Sequence, residues 1–135
     1  MTGQKKAPFD FSSRDSARRA EEGAELEVLD PVSGEGVGAF ITLAGADSAA
    51  YRNALNAASR RRGKTSRGRT FDPDRLLAES AEILAACTLD WKGVLVDGER
   101  LPCSRENAVK LYIRFPWLRE QAEAFIADRA AYLRD

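Results

Sequence analysis

The clearest alternation in the chain is Glu25-Leu26-Glu27-Val28-Leu29, polar and apolar in turn, the pattern of a strand with one buried face. Asp30-Pro31-Val32-Ser33-Gly34-Glu35 interrupts it with turn chemistry: proline fixes φ, and glycine admits positive φ. Val37 to Leu43, with Phe40, Ile41 and Leu43 as β-formers, predicts the return strand. A lone hairpin is marginal in water, so this one, about residues 25–43, has to rest on helices or gain strands.

Four helical patterns follow, near 47–61, 73–88, 105–114 and 116–133. The first opens at Gly45-Ala46-Asp47-Ser48 with Asp47 as the expected cap, and carries a thin stripe of Tyr51, Ala54, Leu55 and Ala58. The second starts on Asp72-Pro73, a cap followed by proline at the first helical position. It runs through Leu76, Leu77, Ile83, Leu84 and Cys87. Val94-Leu95-Val96 then meets Asp97-Gly98, a hairpin-type turn dipeptide. Ser104 caps the third helix, whose Ala108, Leu111, Tyr112 and Phe115 share a face flanked by Val109 and Ile113, the pattern of a helix sandwiched between two elements. Pro116 ends it and opens the fourth, with a stripe of Leu118, Ala122, Phe125, Ile126 and Leu133. Trp117 and Tyr132 fall off that stripe and are expected to leave apolar surface for a partner. Trp91, Leu84, Tyr112 and Phe125 are expected in or beside one core.

Ahead of the hairpin, residues 1–24 form either a flexible arm or a short helix. Phe9 and Phe11 suit an extended piece that docks on the body, and Ser12 or Ser13 can cap a helix that Gly23 stops. The reading is α+β, mainly helical: an N-terminal β-hairpin packed on about four helices, with residues 25–135 as one globular domain.

Composition narrows the chemistry. A chain of 135 residues is most simply one domain, and folding at this size buries roughly two thirds of the unfolded surface. There is no histidine, which excludes Ser-His-Asp and Cys-His catalysis and imidazole metal sites. Acidic residues are plentiful but mark no acid/base couple. Gly34-Glu35-Gly36-Val37-Gly38 lacks the lysine and the strand-glycine-helix order of a phosphate loop. The expectation is a protein that is not an enzyme and uses no metal or cofactor. Cys87 and Cys103 are expected as free thiols, Cys87 as a small buried hydrophobe. No apolar signal or membrane-spanning run is present, so a cytoplasmic protein is expected.

The 21 basic and 21 acidic residues balance, which argues against wholesale nucleic-acid binding and leaves self-association, and so a homo-oligomer, open. The basic residues are not evenly spread. Arg60, Arg61, Arg62, Lys64, Arg67 and Arg69 form a run without an acid, read as a loop over residues 60–70. Such a run serves an anionic partner or is a solvated linker between helices. The glycines, and the lack of an aromatic to stack on bases, favour the linker. Arg60, Arg61 and Arg62 join Trp117 and Tyr132 as partner-binding candidates.

The order of these elements resembles a known family. Glu22-Gly23, Pro31 with Gly34-Glu35, Gly45 with Asp47-Ser48, Trp91 with Gly93, and Asp97-Gly98 carry the first part of the likeness. Pro102, Ser104, Glu106-Asn107-Ala108, Leu111-Tyr112, Pro116, and Gln121 through Phe125-Ile126 to Leu133 carry the rest. Together they are similar to the tail assembly chaperones of long-tailed, siphovirus-type bacteriophages. Each element alone is ordinary turn or helix chemistry; their order and spacing make the resemblance. It implies a helper in the host cell cytoplasm that binds the tape-measure protein, keeps it soluble, assists assembly of the tail tube protein and then departs. Many such systems also make a longer form by frameshifting. Two other readings remain open: a structural tail or head-tail protein retained in the virion, and a nucleic-acid-binding adaptor using Arg60 to Arg69.

Overall fold

The computed structural model describes residues 7–65 and 72–134. A short helix α1 (Ser16–Glu22) leads into strands β1 (Ala24–Leu29) and β2 (Gly36–Leu43), then helices α2 (Ala49–Thr65) and α3 (Pro73–Cys87). Strand β3 (Thr88–Lys92) and a small hairpin of β4 (Leu95–Val96) and β5 (Glu99–Arg100) precede helices α4 (Arg105–Arg114), α5 (Pro116–Ala127) and α6 (Arg129–Leu133). The fold is α+β and mainly helical, as the hydrophobic pattern predicts.

The hairpin forms where the alternation places it. Leu26 pairs with Ile41 and Ala24 with Leu43; Leu26 and Val28 point inward while Glu25 and Glu27 face out. The Asp30 carboxylate accepts from Val32 N at 2.7 Å, and Gly34 supplies the positive φ of the turn. The hairpin gains a strand. β3 adds antiparallel to β2, Ile41 opposite Trp91, giving the order β1-β2-β3. Of β3, Trp91 alone is buried, so its pattern is too thin to stand out.

The helices pack on one face of this sheet. Ala81, Leu84 and Ala85 of α3 meet Ala108, Leu111 and Tyr112 of α4 and Leu118, Ala122 and Ile126 of α5 in a single core with Ile41 and Trp91. Phe125 packs at its edge, as expected. Tyr112 is fully buried, and its hydroxyl shares a hydrogen bond of 2.8 Å with Thr88 Oγ1. Cys87 is buried and free, and burial pushes its thiol up to about 11; Cys103 is also free. Helix α4 is less enclosed than its composition predicts, since Ile113 remains exposed.

Local chemistry sets the boundaries, with several departures from expectation. Ser48 rather than Asp47 caps α2, accepting from Tyr51 N at 3.1 Å, while Asp47 is held by Arg129 at 2.6 and 2.8 Å. The predicted final helix is two helices, because Asp128 leaves helical geometry and caps α6 through Ala130 N at 3.1 Å. Asp15, not Ser12 or Ser13, caps α1, which Gly23 stops at φ 87°. Phe9 and Phe11 do not dock on the body; both are exposed.

The basic run is a further departure. Arg60, Arg61 and Arg62 are helical, and α2 continues to Thr65 rather than giving way to a loop. Arginine is a good helix former, and α3 lies alongside with acids in reach. Arg61 meets Glu82 at 2.7 Å and Arg62 meets Glu79 at 3.3 Å. Arg67 and Arg69 lie outside the described residues.

Candidate partner-binding groove

The sheet and the α4–α5 corner do not close on each other at one end. Val28, Val37, Ala39 and Ile41 form the floor of an open groove, and Leu111, Phe115, Trp117 and Leu118 form its helical wall. Gly93, Val94 and Leu95 form the other wall. Its volume is about 340 Å³. Val28, Ala39, Ile41, Leu111 and Leu118 also belong to the core, so the groove is the core's unsealed end.

Each wall has a local cause. Residues before proline avoid helical φ/ψ; Phe115 sits at φ −117°, ψ 86°, turning the chain between α4 and α5. That turn sets Phe115 and Trp117 edge to face, with centroids 6.3 Å apart. On the facing wall, Gly93 has φ 74°, and a Cβ there would run into the carbonyl oxygen of Gly38, so only glycine lets β2 approach this closely. Asp97 and Gly98 both take positive φ, the geometry of a tight two-residue hairpin turn. Arg114 grips that turn through two hydrogen bonds of 2.9 Å to the Asp97 carboxylate, which holds that carboxyl below its ordinary range. The same guanidinium lies 5.1 Å from the centre of the Phe115 ring. Trp91 Nε1 donates to Leu101 O at 2.8 Å and ties the returning chain to the sheet.

Among the described residues, no ionisable side chain lines the groove. It offers apolar burial and aromatic edges. Among the described residues, no group of three or more His, Cys, Asp or Glu is placed to hold a metal ion. Among them too, no helix is long and apolar enough to cross a membrane.

The residues singled out from sequence do not converge. Trp117 lines the groove, half-buried. Tyr132 does not contribute surface: it is 4% exposed, edge to face with Phe125 at 5.5 Å and closely packed against Gly45. The expectation that it lies free is corrected; the break at Asp128 starts a new helix that turns Tyr132 inward. Arg62 lines a separate cleft with Glu79, Ser80 and Glu123, and Arg60 and Arg61 stand exposed on the same helix. Val37 and Leu95, 48% and 60% exposed, were the rim residues that pattern reading passed over. Their signal was present: each is a large aliphatic beside a glycine or a two-residue strand, too short a context to bury it.

The chain matches the family model described as YdaY prophage protein over residues 46–133. Comparison with curated proteins and with solved structures finds no match. The matched region runs from the start of α2 to the end of α6 and includes both walls of the groove, while the β1–β2 floor lies before it. A prophage family agrees with the phage origin that the resemblance implied, at that level and no finer. With more than half of its length matched, the chain belongs to the YdaY prophage protein family.

Proposed function

We propose that this protein is a phage tail assembly chaperone that binds the tape-measure protein, keeps it soluble while the tail tube protein assembles, and acts by binding rather than turnover. The observation that carries the reading is the groove: an unsealed end of the core, lined only by apolar and aromatic side chains. A long helical partner exposes apolar stripes until it is encapsulated, and such a stripe docks by setting large side chains into an apolar groove. A groove of about 340 Å³ is at the small end of ligand pockets, so it takes one or two anchors rather than a whole helix. Each anchor contributes roughly 1.5–3 kcal/mol when fully buried, against an association cost of several kcal/mol. The resulting grip is weak and reversible, which suits a helper that departs.

The adaptor reading has less support, because Arg61 and Arg62 face Glu82 and Glu79 rather than forming an uncompensated patch. Co-expression with a cognate tape-measure protein tests the proposal. The soluble yield of the tape-measure protein is expected to rise, and the protein is expected to be missing from purified virions. An unchanged yield, or a stoichiometric band in finished tails, overturns the chaperone reading and installs the structural-protein one. Salt-dependent DNA binding near physiological ionic strength would install the adaptor instead.

A further inference from the structure

The groove is not the sole apolar feature left uncovered among the described residues. Another is the pair Phe9 and Phe11, 61% and 82% exposed, with ring centroids 5.9 Å apart in an edge-to-face arrangement. Scattered exposed apolar residues need no explanation, but the backbone holds this pair in place. The Asp10 carboxylate between the rings accepts from Ser12 N at 3.0 Å and Ser12 Oγ at 2.7 Å. Ser13 Oγ donates to Asp10 O at 2.8 Å, and a single 3-10 turn, Phe11–Arg14, follows. That turn leads directly into α1, which is fastened to the body through buried Ala20 and through Arg19, whose Nε donates to Tyr132 O at 3.0 Å. The two rings form a preorganised knob, and little ordering entropy is lost when such a knob binds.

We propose that the Phe9–Phe11 knob of one copy seats in the groove of a second copy. The groove walls present Phe115 and Trp117, whose edges and faces complement two further aromatic rings. The groove volume suits a pair of rings. The zero net charge of the chain raises no long-range barrier between copies. Two exposed phenyl rings withdraw roughly 300 Å² from water and the groove about as much again, well short of the ~1,200 Å² of a stable interface. The contact is therefore weak and concentration-dependent. Knob and groove are different surfaces, so the contact is heterologous and adds copies head to tail instead of closing a two-fold dimer. If the proposed function holds, the tape-measure segment and the knob compete for one groove, and the partner dissolves the assembly. The self-association itself does not depend on that partner.

Sedimentation velocity over a concentration series tests this with the protein alone. The wild type is expected to rise in mean mass beyond that of a dimer. The Phe9→Ser/Phe11→Ser variant and the Leu95→Asp variant are each expected to stay monomeric, with association weakened at least tenfold. An equal mixture of the two should give a one-to-one pair and nothing larger, because one supplies the groove and the other the knob. All three positions are exposed, so the fold is expected to survive; circular dichroism checks this, and Val37→Asp is a second rim variant. A wild type that stays monomeric throughout, or either variant associating like the wild type, overturns the proposal. Neither outcome touches the co-expression test, which reads the partner and not the copies.

Discussion

At the α6 end of the molecule, Tyr132 packs closely against Gly45, where a Cβ would meet both the ring and Ala20. Polar groups close over it: Arg129 grips Asp47, Arg19 reaches the carbonyls of Tyr132 and Arg134, and Glu21 accepts from Ala49 N at 2.8 Å. At the groove end, Leu95 and Val37 stand exposed beside Phe115 and Trp117, and the Arg114–Asp97 pair bridges the rim. Both ends terminate a helix–sheet stack of similar composition. One is sealed by small residues that admit a ring and by an ion pair and hydrogen bonds between elements distant in sequence. The other is left open by a proline turn and a glycine crossing. Stability should therefore concentrate at the sealed end and binding at the open one, and substitutions can test that division.

The largest effect should come from the seal. Tyr132→Ala removes a buried ring and leaves a cavity, at an expected cost of roughly 3–5 kcal/mol in urea denaturation. Tyr132→Phe should be neutral or stabilising, because the Tyr132 hydroxyl is buried without a hydrogen-bond partner and its desolvation is uncompensated. A loss from Tyr132→Phe as large as that from Tyr132→Ala would mean that the hydroxyl, and not the packed ring, holds this end together.

A smaller loss is expected at the groove wall. Gly93→Ala forces positive φ on an alanine, about 1–3 kcal/mol, and drives its Cβ against the Gly38 carbonyl oxygen, which belongs to backbone and yields little. The same variant should deform the groove, so stability and partner binding fall together. Unchanged thermal stability would show that the β2 approach is looser than the structure has it.

The ion pair of the seal predicts a pH dependence of modest size. Arg129 hydrogen-bonds the Asp47 carboxylate and lowers its pKa from 3.8 to about 2. A carboxylate whose folded pKa lies below its unfolded value binds fewer protons when folded, so its contribution is present above pH ~4 and fades as the pH falls toward ~2. Asp47 keeps solvent contact and Arg129 is largely exposed, so screening holds the contribution to about 1 kcal/mol or less. Asp47→Asn should flatten the acid limb of stability between those pH values and leave neutral-pH stability down by no more than that amount.

The contrast between the ends also explains what could be read in advance. Elements whose signals are local were legible: the Glu25–Leu29 alternation, the Asp72-Pro73 and Ser104 helix starts and the Pro116 break all stand where the pattern puts them. What depended on distant partners was not. Asp47 has the chemistry of a cap, and only the arrival of Arg129 from 82 residues away diverts it. Arg61 and Arg62 read as a loop until α3 sets Glu82 and Glu79 against them. Of the candidate site, Trp117 was legible as an aromatic off its helix stripe. Tyr132 carried the same local signal and is buried, because the stripe was counted through a break at Asp128 that a single carboxylate cap creates. Val37 and Leu95 become a rim only when β2 runs past its pairing with β3 and the β4–β5 hairpin is folded across from α4.

The smallest effect on stability should come from the open end, and there the proposed function is most exposed to failure. Leu95 is 60% exposed at the mouth of the groove. Replacing it by aspartate removes little buried area and strands no polar group, so the change in unfolding free energy should stay within about 0.5 kcal/mol. The charge would nonetheless sit where an apolar anchor has to enter, and an entering side chain would have to desolvate it without a compensating partner. The soluble yield of co-expressed tape-measure protein should therefore drop toward that seen without this protein, while the melting temperature of the variant stays at the wild-type value. Equal yields from wild type and variant, at equal stability, would take the groove out of partner binding and move the search to the cleft between α2, α3 and α5 that Arg62 lines.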